Sequence, residues 1–108
     1  MSHVTTHVLD AALGSPAAGI SVALAGPTGE ILATGVTDAD GRVRDLGPEL
    51  LPAGEYQLEF STGAYFAAAG RATFYPRVVL HFVLTDTTAH YHVPLLLSPF
   101  AYSTYRGS

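Results

Sequence analysis

The sequence predicts an all-β fold, a two-sheet β-sandwich of seven or eight short strands with one short helix, covering residues 1–108 as a single domain. Three observations carry this expectation. Apolar residues alternate with others in short runs, the period at which strand side chains change face. Clusters of Gly, Pro, Asp and Ser separate those runs. Helical character is confined to one stretch, Gly63 to Gly70.

The first run, His3-Val-Thr-Thr-His-Val-Leu-Asp10, is rich in β-branched residues and sets Thr5, His7 and Leu9 on one face against Val4, Thr6 and Val8 on the other. Gly14 to Gly19 is a turn cluster, and Ile20 to Ala25 follows as a strand with Ile20, Val22 and Leu24 together. Gly26-Pro-Thr-Gly29 turns the chain into Ile31 to Thr37. In Asp38-Ala-Asp-Gly-Arg42 the glycine permits the left-handed geometry of a tight turn, and Arg42 emerges just beyond it. Val43 to Leu46 is at most a short edge strand. Glu55 to Phe60 alternates cleanly, with Tyr56, Leu58 and Phe60 inward. Three alanines after an aromatic pair favour helix over 63–70, which the closing glycine ends. Arg77 to Leu84 is a strand with Val78, Leu80, Phe82 and Leu84 on one face. His90 to Leu97 places His90, His92, Pro94 and Leu96 opposite Tyr91, Val93, Leu95 and Leu97, and Phe100 to Tyr105 closes the set. Pro94 cannot donate to a ladder, so it predicts a bulge or an unpaired backbone site.

Composition narrows the function. All five basic residues are arginine and nine residues are acidic, a net charge of −4, so nothing here would hold a phosphate backbone and no nucleic-acid partner is expected. No stretch is long and apolar enough to span a membrane, and residues 1–20 lack the pattern of a signal peptide, which predicts no membrane partner and a cytoplasmic location. The absence of cysteine excludes disulfide and thiol chemistry. A chain of 108 residues is too small to hide a deep pocket. Because both faces of the His90–Leu97 run are mostly apolar, one is expected against the core and the other against a ligand or a second subunit.

His7 and His92 each lie on the second face of an apolar strand, where paired neutral imidazoles can activate a water and pass its proton on. A lone hydrogen-bonded histidine is the plainer reading of either strand alone. His90-Tyr-His92 also has the spacing of a two-histidine zinc site, with His3 or His7 as a third ligand, but the usual carboxylate or cysteine support is missing. His81 reads as structural, and His3 lies near a mobile terminus. Arg42 would bind an anion or a developing oxyanion; on local sequence alone a solvated side chain explains it as well. Tyr102 and Tyr105 are amphipathic rings that gain from half-burial. No nucleophile elbow, phosphate loop or Cys/His pair offers covalent catalysis.

Thr6-His-Val-Leu-Asp10, Asp40-Gly-Arg42, His92-Val-Pro-Leu-Leu-Leu-Ser-Pro99 and the terminal Tyr105-Arg-Gly-Ser108 together resemble the 5-hydroxyisourate hydrolases, transthyretin-related enzymes of urate catabolism. The resemblance covers essentially the whole chain. It implies a transthyretin-like sandwich of two four-stranded sheets, assembled as a homotetramer, a dimer of dimers around a channel, with sites at the subunit interface. It implies catalytic roles for His7, Arg42, His92 and Ser108 and substrate contacts from His7, Arg42, Tyr105, Arg106 and Gly107. The implied substrate is a small molecule whose lactam ring opens at the N1–C6 bond, with no metal or organic cofactor. Arg77, where relatives often carry an acidic residue, and the alanine-rich helix depart from the pattern without touching the site. Two rivals remain: a transthyretin-like carrier in the same channel, and a structural β-module, which Gly14 to Phe60 also resembles. The histidines and the polar terminus favour the hydrolase.

Overall fold

Among the described residues of the computed structural model there are nine strands and one helix: β1 (Val4–Asp10), β2 (Ser15–Pro16), β3 (Ser21–Ala25), β4 (Ile31–Val36), β5 (Arg42–Val43), β6 (Gly54–Phe60), α1 (Thr62–Ala68), β7 (Val78–Leu84), β8 (Tyr91–Ser98) and β9 (Ala101–Thr104). The structure describes residues 2–108; Met1, the first residue of the predicted domain, lies outside them. Two sheets face each other. One runs β2-β1-β8-β9 with β5 also paired to β1, and the other runs β4-β3-β6-β7. The predicted sandwich is therefore present. Its two additional strands are two-residue segments, of which β2 falls inside the turn cluster 14–19.

Between the sheets lies the core that alternation marked out. Val4 and Val8 from β1, Ile20, Leu24, Leu58, Phe60, Leu84, Leu95 and Leu97 are fully buried, and Phe66 of α1 joins them. Burying such side chains stabilises a fold by roughly 1.5–3 kcal/mol each relative to exposure. The helix ends as expected. Gly70 adopts φ +67°, its N–H bonds to the Ala67 carbonyl, and the Arg71 N–H reaches back to Phe66 O at 2.9 Å, the paired bonds of a Schellman motif.

The edge segment differs from its prediction. Pairing covers Arg42–Val43 rather than 43–46, because the tight turn delivers Arg42 directly opposite His7 on β1. Pro94 introduces no register shift. Antiparallel pairing of β8 with the C-terminal segment runs from Ser98↔Ala101 to Leu95↔Thr104 and resumes in the same register at His92↔Gly107. The gap falls at Pro94, which has no N–H to offer, so the unpaired-backbone alternative is the one realised.

His3 also corrects its prediction. Far from being mobile, it is 4% exposed, donates from Nε2 to Ala89 O at 2.7 Å and accepts at Nδ1 from the Leu51 N–H at 2.9 Å. Both ring nitrogens are spent on joining the start of β1 to two loops. Among the described residues no helix is long and apolar enough to cross a membrane.

Candidate active site

The sheet face of β1 and β8 that points away from the core gathers the predicted residues. β8 runs parallel to β1 with Thr5↔His92 and His7↔Pro94 in register, while β5 pairs on the opposite side of β1 with His7↔Arg42. A cleft of about 450 Å³ opens there, within the range of small-molecule sites. His7, Arg42, His92, Tyr105, Gly107 and Ser108 all line it.

His7 is held by the turn that precedes β5. Its Nε2 lies 2.8 Å from Asp40 O, and since a carbonyl only accepts, Nε2 carries the proton and Nδ1 keeps the lone pair of the neutral ring. The turn itself is braced. Asp38 Oδ1 accepts the N–H groups of Asp40 and Arg42 at 2.9 and 3.0 Å, and Gly41 O accepts from Val8 N–H at 2.7 Å. Gly41 adopts φ +77°, and a Cβ there would collide with the Val8 carbonyl oxygen. Sequence reading found the turn; the strand pairing gives it its purpose.

Arg42 is half-buried, and its guanidinium forms no ion pair among the described residues. Arg44 shows the contrast, because it binds Asp38 at 2.7 Å and Asp40 at 3.5 Å. One arginine of the turn is neutralised and the other is left for an anion. That is the disposition needed to hold a developing oxyanion.

His92 is partly buried, with Nδ1 2.9 Å from Thr5 Oγ1. Burial, followed by electrostatic repulsion from Arg42, His7 and His90, pushes its pKa below the ordinary imidazole value, against a smaller upward pull from a hydrogen bond to the Thr5 backbone. His92 is therefore neutral near pH 7, the state a general base requires. The C-terminal segment closes over it. Gly107 N–H donates to His92 O at 2.8 Å, and a Cβ on Gly107 would lie 2.6 Å from His92 Cδ2. Only glycine lets the segment pass this close to the ring.

Not every predicted residue joins the cleft. Arg106 points to the other side, its guanidinium 4.3 Å from the Tyr91 ring centroid, and lines an apolar groove with Val79, Val83 and Tyr102. Tyr105 spans both openings and is 59% exposed. His81 sits outside the site on the other sheet, bonded to Glu55 Oε1 at 2.6 Å. For zinc, the facing nitrogens of His90 and His92 are both taken by Thr5, and among the described residues no three His, Cys, Asp or Glu side chains are grouped to hold a metal. Thr5 is the residue sequence reading passed over. Alternation had placed it on the face of His7, but its bonds depend on a pairing between residues more than eighty positions apart.

Comparison with known proteins shows the family. The profile of the HIUase/Transthyretin family matches residues 4–107. The 5-hydroxyisourate hydrolase of Caulobacter vibrioides is 48% identical over 115 aligned residues that cover both chains completely. The structure of Klebsiella pneumoniae 5-hydroxyisourate hydrolase superposes with a TM-score of 0.90 at 46% identity, covering 97% of this chain and 98% of that one. Sea bream transthyretin in complex with thyroxine also reaches 0.90, at 35% identity and coverage of 96% and 93%. The fold, the cleft and these full-length relatives lead to one conclusion: the chain belongs to the HIUase/Transthyretin family.

Proposed function

We infer that this protein hydrolyses 5-hydroxyisourate, opening the lactam ring at N1–C6 to give 2-oxo-4-hydroxy-4-carboxy-5-ureidoimidazoline in urate catabolism. The observation that carries the reading is the meeting of two histidines and an unpaired arginine in one cleft, which an apolar carrier of the thyroxine-binding kind has no use for. His92, neutral and anchored at Nδ1, takes a proton from water through Nε2 as the oxygen attacks C6. Negative charge gathers on the carbonyl oxygen, where Arg42 stabilises it. Removing such a contact typically costs about a hundredfold in rate. The intermediate then collapses, the C6–N1 bond breaks, and N1 takes the proton held by the histidine. His7 keeps its place through Asp40 O and orients the water or the ring. Tyr105, Gly107 and Ser108 bound the substrate, whereas Arg106 supports the segment through Tyr91.

The assembly belongs to the same reading: a homotetramer, formed as a dimer of dimers, with the clefts facing a channel between subunits. Exposed Leu13 and Phe100, 64% and 68% accessible, and the apolar groove along the open edges of β7 and β9 favour it, since uncovered apolar edges invite pairing. Light scattering that returns the mass of one chain would contradict that assembly. A cytoplasmic location accompanies it, and fractionation of cells tests it. For the activity, 5-hydroxyisourate is generated in place from urate and its absorbance followed. Decay faster than background in proportion to added protein supports the hydrolase; decay at the background rate from a folded sample sinks it.

A further inference from the structure

Thr5 presents one hydroxyl to two imidazoles. Its Oγ1 is 2.8 Å from His90 Nε2 and 2.9 Å from His92 Nδ1, and the residue is only 7% exposed. A hydroxyl has a single proton to donate, so at most one ring can accept from it, and with no third partner for Oγ1 among the described residues one ring accepts while the other donates. The tautomers of His90 and His92 are thereby linked. When Nδ1–H of His92 donates to Oγ1, the hydroxyl donates to His90, and His92 Nε2 holds the lone pair.

We propose that Thr5 is a positioning residue and proton conduit that joins His92, inside the cleft, to His90 at its exposed rim. The proposal rests on the hydrolase reading and adds to it the route of the proton. After Nε2 of His92 takes a proton from water, Nδ1 releases its own to Thr5 Oγ1, and the hydroxyl hands its original proton to His90 Nε2. Thr5 ends as a hydroxyl, His92 is neutral with its proton on Nε2, and the positive charge rests on His90. No atom is gained or lost. The direction follows from the surroundings: a cation on His92 faces Arg42 from β5 and His7 from β1, with Tyr105 and Ser108 lining the same cleft, whereas His90 is open to solvent. Reversal returns the proton through His92 when N1 departs.

The test uses the intact protein and three variants. Thr5→Val keeps the β-branched shape and removes the hydroxyl; it is expected to lower kcat roughly tenfold with little change in KM, and Thr5→Ser to restore most of the loss. His90→Gln can still meet the hydroxyl but cannot carry the charge. It should lower kcat similarly, and the double variant should fall no further than Thr5→Val alone. Imidazole 15N spectra read the same coupling without substrate, so the relay is decided even where wild-type turnover fails and takes the hydrolase reading with it. An unchanged rate in Thr5→Val, multiplying losses in the double variant, or His92 and His90 resonances indifferent to the substitution would each overturn the relay.

Discussion

One strand carries two polar clusters, and they are built on opposite terms. On the core face at the end of β1, the fully buried Asp10 carboxylate receives Arg71 Nη1 at 2.7 Å, the Tyr65 hydroxyl at 2.8 Å, and the N–H groups of Leu13 and Ala12 at 3.0 and 3.1 Å. Burial raises its pKa, but the bonds from Arg71, Tyr65 and Leu13 outweigh that and hold it at about 2. Every oxygen is committed. On the other face, His7 keeps a lone pair, His92 keeps an open Nε2, and Arg42 keeps an unpaired guanidinium. The difference separates fastening from chemistry: saturated polar groups hold α1 and the following loop to the sheet, while reactive ones retain bonding capacity for a substrate.

That contrast can be broken at either end. The largest effect on stability is expected at the knot. Asp10→Asn removes the partner of Arg71 and should cost about 3 kcal/mol, measured by denaturant unfolding. The same variant isolates an acid response. A carboxylate whose folded pKa lies below its unfolded value contributes stability above the unfolded pKa and loses it as pH falls through the folded one. For Asp10, a shift from 3.8 to about 2 corresponds to about 2 kcal/mol lost between roughly pH 5 and pH 2, a loss that Asp10→Asn should lack. A smaller effect is expected at the cleft's roof. Gly107→Ala drives a methyl against the His92 ring and should lower kcat/KM about tenfold with the fold retained, measured by turnover and circular dichroism. Equal activity in that variant would separate the C-terminal segment from the placement of His92.

Local pattern made the elements legible, and non-local pairing decided what they do. Alternation was enough for Tyr56, Leu58 and Phe60, and for the opposite faces of β8, because a period of two needs no knowledge of neighbours. It also put His7 and His92 on second faces. That they meet follows from the parallel β1–β8 register, and that Arg42 joins them follows from β5 docking across His7, neither of which any short window contains. The resemblance to a known family supplied those partners where periodicity could not. The Asp10–Arg71–Tyr65 knot was not anticipated, since its members come from a strand end, a helix and a loop. His3 escaped for a related reason: a residue near the start reads as loose until both ring nitrogens are seen to be bonded.

On the proposed reading the cleft performs the chemistry while the Asp10 knot holds the fold. The most direct test is the decay of 5-hydroxyisourate with His92→Ala and Asp10→Asn, at equal concentrations of folded protein and below both melting temperatures. His92→Ala should lose on the order of a thousandfold in kcat, and Asp10→Asn should stay within about twofold of wild type per folded molecule. Wild-type turnover from His92→Ala, or lost turnover from folded Asp10→Asn, would contradict it.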